Sequence, residues 1–325
     1  MTHAIVQDET GGPDVLSYRE VPDPVAGPGE IVVRHTAIGL NYLDTYFRKG
    51  LYPAPGGMPL TIGNEAAGVV ESIGDGVTLF APGDRVAYAG SIGAYSQRRA
   101  IEADKVVAIP EGVSDEMAAA MMLKGMTARY LLKEVYKVEK GSTILYHAAA
   151  GGVGLIMGQW AKALGATAIG TVSSAEKAEL AKANGYAHVI NYSDDNFVEA
   201  VKTLTDGKGV DVVYDSIGKD TYPSSLDCLR PMGMWATFGQ SSGVIENFSL
   251  GDLASRGSLF ATRPSLFVYI GTRPRLEANA ADLFKMVADG SVKIEIGQTF
   301  PLEKAADAHR ALEGRKTTGS TVLVP

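Results

Sequence analysis

Cysteine is almost missing from this chain. Of 325 residues only Cys228 is one, so no intrachain disulfide can form and no zinc site can be built from cysteines. Histidine is scarce as well: His3, His35, His147, His188 and His309 stand at no ligand spacing. Positive charge is not in excess. Thirty Lys and Arg against 37 Asp and Glu leave a net charge of −7, where a general nucleic-acid binder would be basic. No run of like charges marks an interaction tail. No long apolar run is present either. The most apolar window, Ile144 to Trp160, is rich in glycine and holds His147, which suits a buried strand and helix better than a membrane span. Met1 to Asp8 lacks the basic and apolar regions of a signal peptide. A cytoplasmic protein is the expectation.

What is present describes a globular chain: 46% apolar and 21% charged residues. Its length exceeds one ordinary core, so two domains are expected. Thr143–Tyr146 reads as a buried strand. Ala149-Ala150-Gly151-Gly152-Val153-Gly154 follows, and a helix continues through Lys162. This is a G-x-G-x-x-G fingerprint with alanine in the first glycine position. Gly151 admits a pyrophosphate to the backbone, and Gly154 lets helix and strand pack closely. The helix amides and positive dipole end then face the phosphates.

Residues 1 to about 120 read as short strands separated by Gly-Pro turns: 4–7, 31–38, 67–73, 85–88 and 105–109. Residues 41–47 suggest a helical turn. Ser114 reads as the N-cap of a helix, and a helix over 126–136 leads into a second domain. There, strands over 143–146, 167–172, 188–190, 210–214, 234–238 and 258–261 alternate with helices after Gly151 and over 175–183, 196–205, 222–229 and 253–256. Such alternation gives a doubly wound α/β parallel sheet. A long helix (276–289), a strand (293–296), a helix (303–312) and a last strand (321–324) close the chain. The last strand needs a partner sheet, so the tail is expected to return to the first domain.

Longer strings resemble the medium-chain dehydrogenase/reductase superfamily over essentially the whole chain. Gly63-Asn-Glu-Ala-Ala-Gly-Val-Val70 stands where the zinc alcohol dehydrogenases have Gly-His-Glu, and Gly83-Asp-Arg-Val86 and Lys124-Gly-Met-Thr-Ala128 are typical strings. Asn41 to Tyr52, His147 to Gly154, Tyr214 to Gly218, Phe238 to Gly243 and Thr262 to Ser265 look most like the zinc-free NADPH-dependent quinone oxidoreductases, the zeta-crystallin group. The resemblance implies a GroES-like β-rich catalytic domain (1–124 and 264–325), a Rossmann domain (125–263), an acceptor bound between them and a homodimer joined at the edge of the Rossmann sheet.

No metal is expected. The family's first zinc ligand falls in 41–44, which holds no cysteine; the second position is Asn64; and 91–99 lacks the cysteines of a structural zinc lobe. Glu65 then reads as a hydrogen-bonded structural carboxylate. The cofactor reading favours NADPH. NAD enzymes carry an acid roughly 20 residues past the fingerprint, whereas here the second strand ends in Ser173 and Ser174, with Lys177 one turn later. Hydroxyls and a cation suit a 2′-phosphate. The resemblance adds Tyr192 and Arg315 at the adenine end. At the nicotinamide it adds Asn41, Tyr46 and Thr127, flanked by Phe238, Gly239, Ser241 and Ser242.

Reduction of a quinone is the activity these features imply, with water, Tyr46 or Tyr52 as the proton source. Two rivals stand beside it: a reductase of enone or enal double bonds, and a non-catalytic NADPH-binding protein, crystallin-like or RNA-binding.

Overall fold

The computed structural model describes all 325 residues. They form two compact units: Met1–Met126 with Ile270–Ala288 and Ile294–Pro325, and Thr127–Tyr269 with Asp289–Lys293.

The first unit runs β1 (Thr2–Gln7), β2 (Ser17–Val21), β3 (Glu30–Leu40), α1 (Tyr42–Arg48), β4 (Leu60–Thr61), β5 (Glu65–Ile73), β6 (Arg85–Ala89), β7 (Arg98–Glu102), β8 (Val107–Ala108) and α2 (Asp115–Tyr130). β3 is its spine. It pairs antiparallel with β5 and with β7. Ile31, Val33, Ile38 and Leu40 enter a core with Val70, Val86, Tyr88 and Ile101. Ser114 caps α2 by accepting the Met117 N–H at 3.2 Å. β2, β4 and β7 have no counterpart in the sequence pattern, and two segments read from it differ. The 105–109 strand is reduced to β8, because Ala103–Lys105 close a 3₁₀ turn. Instead of a separate helix over 126–136, α2 runs to Tyr130 and passes into a π-turn, Leu131–Val135.

The second unit continues with β9 (Thr143–His147), α3 (Gly152–Ala163), β10 (Thr167–Val172), α4 (Ala175–Ala183), β11 (His188–Asn191), α5 (Phe197–Leu204), β12 (Val210–Asp215), β13 (Leu229–Thr237), α6 (Leu250–Ser255), β14 (Phe260–Thr262) and α7 (Leu266–Tyr269). Its six strands are parallel in the order β11-β10-β9-β12-β13-β14. β9 is therefore central, and the order reverses beside it, which puts the switch point at the glycine turn. No helix spans 222–229. Pro223 supplies no N–H, and Leu226 and Asp227 donate to residues three back, giving only a 3₁₀ turn. β13 starts at Leu229 rather than Met234 and slips register before Met234, with Met232 at φ 61.

The chain then adds α8 (Arg273–Ala288), β15 (Ile296–Pro301), α9 (Ala305–Glu313) and β16 (Ser320–Val324) to the first unit. β16 pairs antiparallel with β3. β15 lies later than the 293–296 strand read from the sequence, because its parallel pairing with β16 sets Thr299 against Val322 and Phe300 against Leu323. No helix is long and apolar enough to cross a membrane.

Candidate functional site

In the second unit the site grows from the end of β9. Ala148 takes the left-handed φ of 64°, which a non-glycine residue adopts only at a cost. The turn brings the Ala149 N–H to the Thr171 carbonyl at 3.0 Å and the Gly151 N–H to that of Ala148 at 3.0 Å. α3 then starts with Gly151 as its N-cap, without a side-chain cap and without an acid in its first turn. Its first amides have no intrahelical acceptor, and its positive dipole end is uncompensated. Gly151, Gly152 and Val153 are half-buried, and Ala150 is buried. A Cβ on Gly154 would lie 2.5 Å from the Ala149 oxygen and 2.6 Å from the Ala148 oxygen. Glycine is therefore required for the helix to meet the turn. This cradle fits a pyrophosphate.

The tips of β10 and β11 carry Ser173, Ser174, Lys177 and Tyr192. Ser174 caps α4, its oxygen accepting the Lys177 N–H at 3.3 Å. The Ser193 hydroxyl reaches the Ser173 carbonyl at 3.2 Å, and the Tyr192 N–H donates to that of Val172 at 3.1 Å. Tyr192 is exposed. No carboxylate stands at the β10 tip itself; Glu176 lies in the first turn of α4. The four residues thus lie at the adjoining ends of β10 and β11.

Sequence reasoning missed the hub of this unit, Asp215. Fully buried at the end of β12, its carboxylate accepts from the Ile217 and Gly218 N–H groups, the Thr221 and Ser225 hydroxyls and the Trp235 indole. His147 bridges to Ser225 at 3.0 Å and to Thr171 at 2.9 Å. Burial holds the His147 imidazole below its usual pKa, against the opposing pull of Asp215. The Asp215 carbonyl receives the Phe238 N–H at 2.9 Å. Ser241 and Ser242 donate their N–H groups to the Ser216 and Ile217 carbonyls. The Ser242 hydroxyl is occupied between the Ile217 carbonyl and the Asp220 N–H. Gly239 sits where a Cβ would be 2.5 Å from the Ser216 oxygen. Arg263 clamps the Thr237 and Gly239 carbonyls at 3.0 and 2.7 Å. Phe238 lies near Tyr146, the ring centroids 6.1 Å apart. Thr127 belongs to this unit and is buried.

In the first unit, Asn41 caps α1 and is buried. Its amide donates to Glu65 Oε2 at 2.8 Å, and the Lys124 ammonium donates to the same oxygen at 2.9 Å. Glu65 Oε1 accepts the Leu123 N–H at 2.7 Å. Glu65 is thus a hydrogen-bonded carboxylate with its oxygens occupied. Asn64 donates to Asp44 Oδ1 at 2.8 Å, and no group of three or more His, Cys, Asp and Glu side chains forms a metal site. Tyr46 is buried and Tyr52 half-buried, their rings edge-on at 5.4 Å. Arg315 also lies in this unit, exposed and at φ 57.

A second buried network leads away from Asp44. Its Oδ2 accepts from the Asn41 N–H at 2.9 Å and the Tyr95 hydroxyl at 3.0 Å. Tyr95 Oη accepts from His309 Nε2 at 3.1 Å, and His309 Nδ1 accepts from Arg48 at 2.8 Å. The chain of donors fixes His309 as the neutral Nε2–H tautomer. The fully buried Arg48 also donates to the Gly11 carbonyl and forms an ion pair with Glu313 at 2.8 Å, less well aligned than a hydrogen bond.

Burial sets the acid behaviour of this unit. It lowers His309 to about 3, helped by Arg48 and Lys49, and His35 to about 3, against the bond to Ser96; it raises Asp44 to about 6, against its donors. Below the ordinary histidine pKa, the unfolded chain takes up protons that the two folded histidines refuse, so stability falls. Asp44 acts in reverse, because the folded carboxyl protonates first and stability is gained as pH falls through about 6. These three groups leave a net of one proton between pH 6.5 and 4.5, worth about 1.4 kcal/mol lost per pH unit. Asp44→Asn is expected to steepen that loss. Unfolding free energies measured at several pH values, flat in both proteins, would contradict it.

Comparison with known proteins places residues 27–132 in the family model described as "Alcohol dehydrogenase GroES-like domain" and residues 152–284 in "Zinc-binding dehydrogenase". A quinone oxidoreductase of Pseudomonas aeruginosa is 53% identical over 316 residues, 97% of each chain. A 2-haloacrylate reductase of a Burkholderia species is 50% identical, covering 100% of this chain and 99% of its own. The Escherichia coli quinone oxidoreductase, solved in complex with NADPH, is 47% identical and superposes over the whole of both chains with a TM-score of 0.97.

Proposed function

The chain belongs to the quinone oxidoreductase family of the medium-chain dehydrogenase/reductases, and on that premise we propose that it reduces quinones with NADPH and without a metal. The observation that carries the reading is the uncapped amino end of α3 behind Gly151, with the serine pair and Lys177 at the neighbouring strand tip. Gly151 to Gly154 would hold the pyrophosphate, and Ser173, Ser174, Lys177 and Tyr192 the adenosine 2′-phosphate. Arg315 is the proposed further contact at that end.

When bound, the reduced nicotinamide supplies two electrons and one proton to the acceptor. The protein's task is placement and exclusion of water, worth roughly several kcal/mol when the reacting atoms are aligned. Phe238, Gly239, Ser241 and Ser242 would flank the nicotinamide, on a segment hydrogen-bonded to Asp215 and Arg263. Asn41, Tyr46 and Thr127 are the proposed residues at the reacting end. Tyr46 and Tyr52 offer hydroxyls for the proton, alongside water.

The relative named a 2-haloacrylate reductase favours one second reading, reduction of an activated carbon–carbon double bond. Parallel turnover assays with 1,4-benzoquinone, 9,10-phenanthrenequinone and a simple enone separate the two. Faster turnover of the quinones is expected. Turnover of the enone alone would transfer the activity to the double bond, and NADPH binding with no turnover would leave a carrier or structural protein.

We also infer a homodimer. β14 is a sheet edge, and Phe260 on it is 59% exposed. Edge pairing across a two-fold axis would cover both. Sedimentation velocity is expected to give twice the chain mass, and Phe260→Asp to shift it toward one; a wild-type monomer would dismiss the dimer. A cytoplasmic location goes with this reading.

A further inference from the structure

Lys124 is a buried cation short of acceptors. Its side chain is 7% exposed, and its ammonium carries three N–H donors. Only one is matched within the protein, by Glu65 Oε2 at 2.9 Å. A buried donor without an acceptor is costly, and such groups are rare in native proteins. Glu65 does not need the other two, because its oxygens already take Asn41 and the Leu123 N–H as well. The backbone makes room for this arrangement. A Cβ on Gly39 would fall 2.1 Å from the Ala119 oxygen and 2.4 Å from Glu65 Oε2, so glycine in β3 lets α2 and the carboxylate approach. Asn41 Nδ2 and Lys124 Nζ converge on one oxygen, at 2.8 and 2.9 Å. Lys124 thereby stands beside Asn41, a residue proposed above for the reacting end.

We propose that Lys124 is a catalytic residue whose spare N–H groups bind the acceptor oxygen on which negative charge develops. The inference rests on the functional reading above. The quinone accepts two electrons and one proton from the reduced nicotinamide, which is left oxidised. One quinone oxygen ends as O–H and the other as O⁻, and a proton from water then completes the hydroquinone. Lys124 holds the O⁻ until that proton arrives and keeps its own. Glu65 keeps the ammonium in place, and Asn41 fixes Glu65. A donor of this kind, preorganised where charge appears, contributes about a hundredfold to a thousandfold in rate.

The test uses Lys124→Met and, because that change leaves Glu65 buried without its partner, the neutral pair Glu65→Gln/Lys124→Met. Three quantities are measured: NADPH affinity, kcat/KM for 1,4-benzoquinone, and the ionisation of 4-nitrophenol bound to the cofactor-free protein, read by its absorbance. NADPH affinity is expected to hold, kcat/KM to fall about a hundredfold in both variants, and bound nitrophenol to ionise at higher pH than in wild type. A double variant that turns over quinone and ionises nitrophenol as wild type does would overturn the assignment. If wild type reduces no acceptor, the functional reading fails, and the nitrophenol arm alone decides whether Lys124 receives an oxyanion.

Discussion

Gly154→Ala is expected to weaken NADPH binding at least about a hundredfold, the equivalent of roughly 2.7 kcal/mol. The single added methyl carbon has nowhere to go. It would stand 2.5 Å from the Ala149 oxygen and 2.6 Å from the Ala148 oxygen, which are backbone atoms. α3 must lift from the turn, and its first amides leave the position the phosphates require. Overpacking also costs about 1–3 kcal/mol of stability. Tyr186 adds to this, since its hydroxyl donates to the Gly154 carbonyl at 2.8 Å. Gly12→Ala is the control: a Cβ there meets nothing within 4 Å. Titration of NADPH by its fluorescence distinguishes the two, and wild-type affinity in Gly154→Ala would refute the packing argument.

Arg48→Met is expected to cost the first unit about 3 kcal/mol, because it leaves several buried polar groups without a donor. The Gly11 carbonyl and His309 Nδ1 lose their partner, and the donor chain through Tyr95 to Asp44 loses its anchor. Arg48→Lys is no remedy, since one ammonium cannot reproduce the planar fork. Glu313→Gln should cost no more than about 1 kcal/mol: that carboxylate is 20% exposed and water can serve it. Urea unfolding followed by near-ultraviolet circular dichroism measures all three. Equal losses for Arg48→Met and Glu313→Gln would show that the ion pair with Glu313, and not the buried donor chain, carries the stability.

These two sites mark how far the sequence could be read. Gly154 was legible because the chemistry is local: a strand, a tight turn and a helix within twenty residues impose glycine at a fixed offset. The six parallel strands were legible for the same reason, each being a short apolar run beside a helical one. The donor chain of Arg48 was not. Tyr95 and His309 meet across 214 residues, and nothing in either local pattern announces the other. Asp215 reads as one acid at a strand end; four of its five donors come from the segment that follows, and the fifth, Trp235, from β13. The misread segment 222–229 spaces Tyr222, Leu226 and Leu229 as one helix face would, but Pro223 and the pull of Thr221 and Ser225 toward Asp215 override it. β15 was displaced because its register is dictated by β16, a partner that the sequence around Lys293 cannot reveal. Lys124 was visible only as part of a family string; its shortage of acceptors is a fact of three dimensions.

The most direct test is a pair of titrations of the purified protein, NADPH against NADH, repeated with Lys177→Ala. The account predicts that wild type binds NADPH at least about tenfold more tightly, one charge-assisted contact being worth about 1.5 kcal/mol or more, and that Lys177→Ala narrows the gap by weakening NADPH alone. Equal affinity of wild type for the two nucleotides would contradict it.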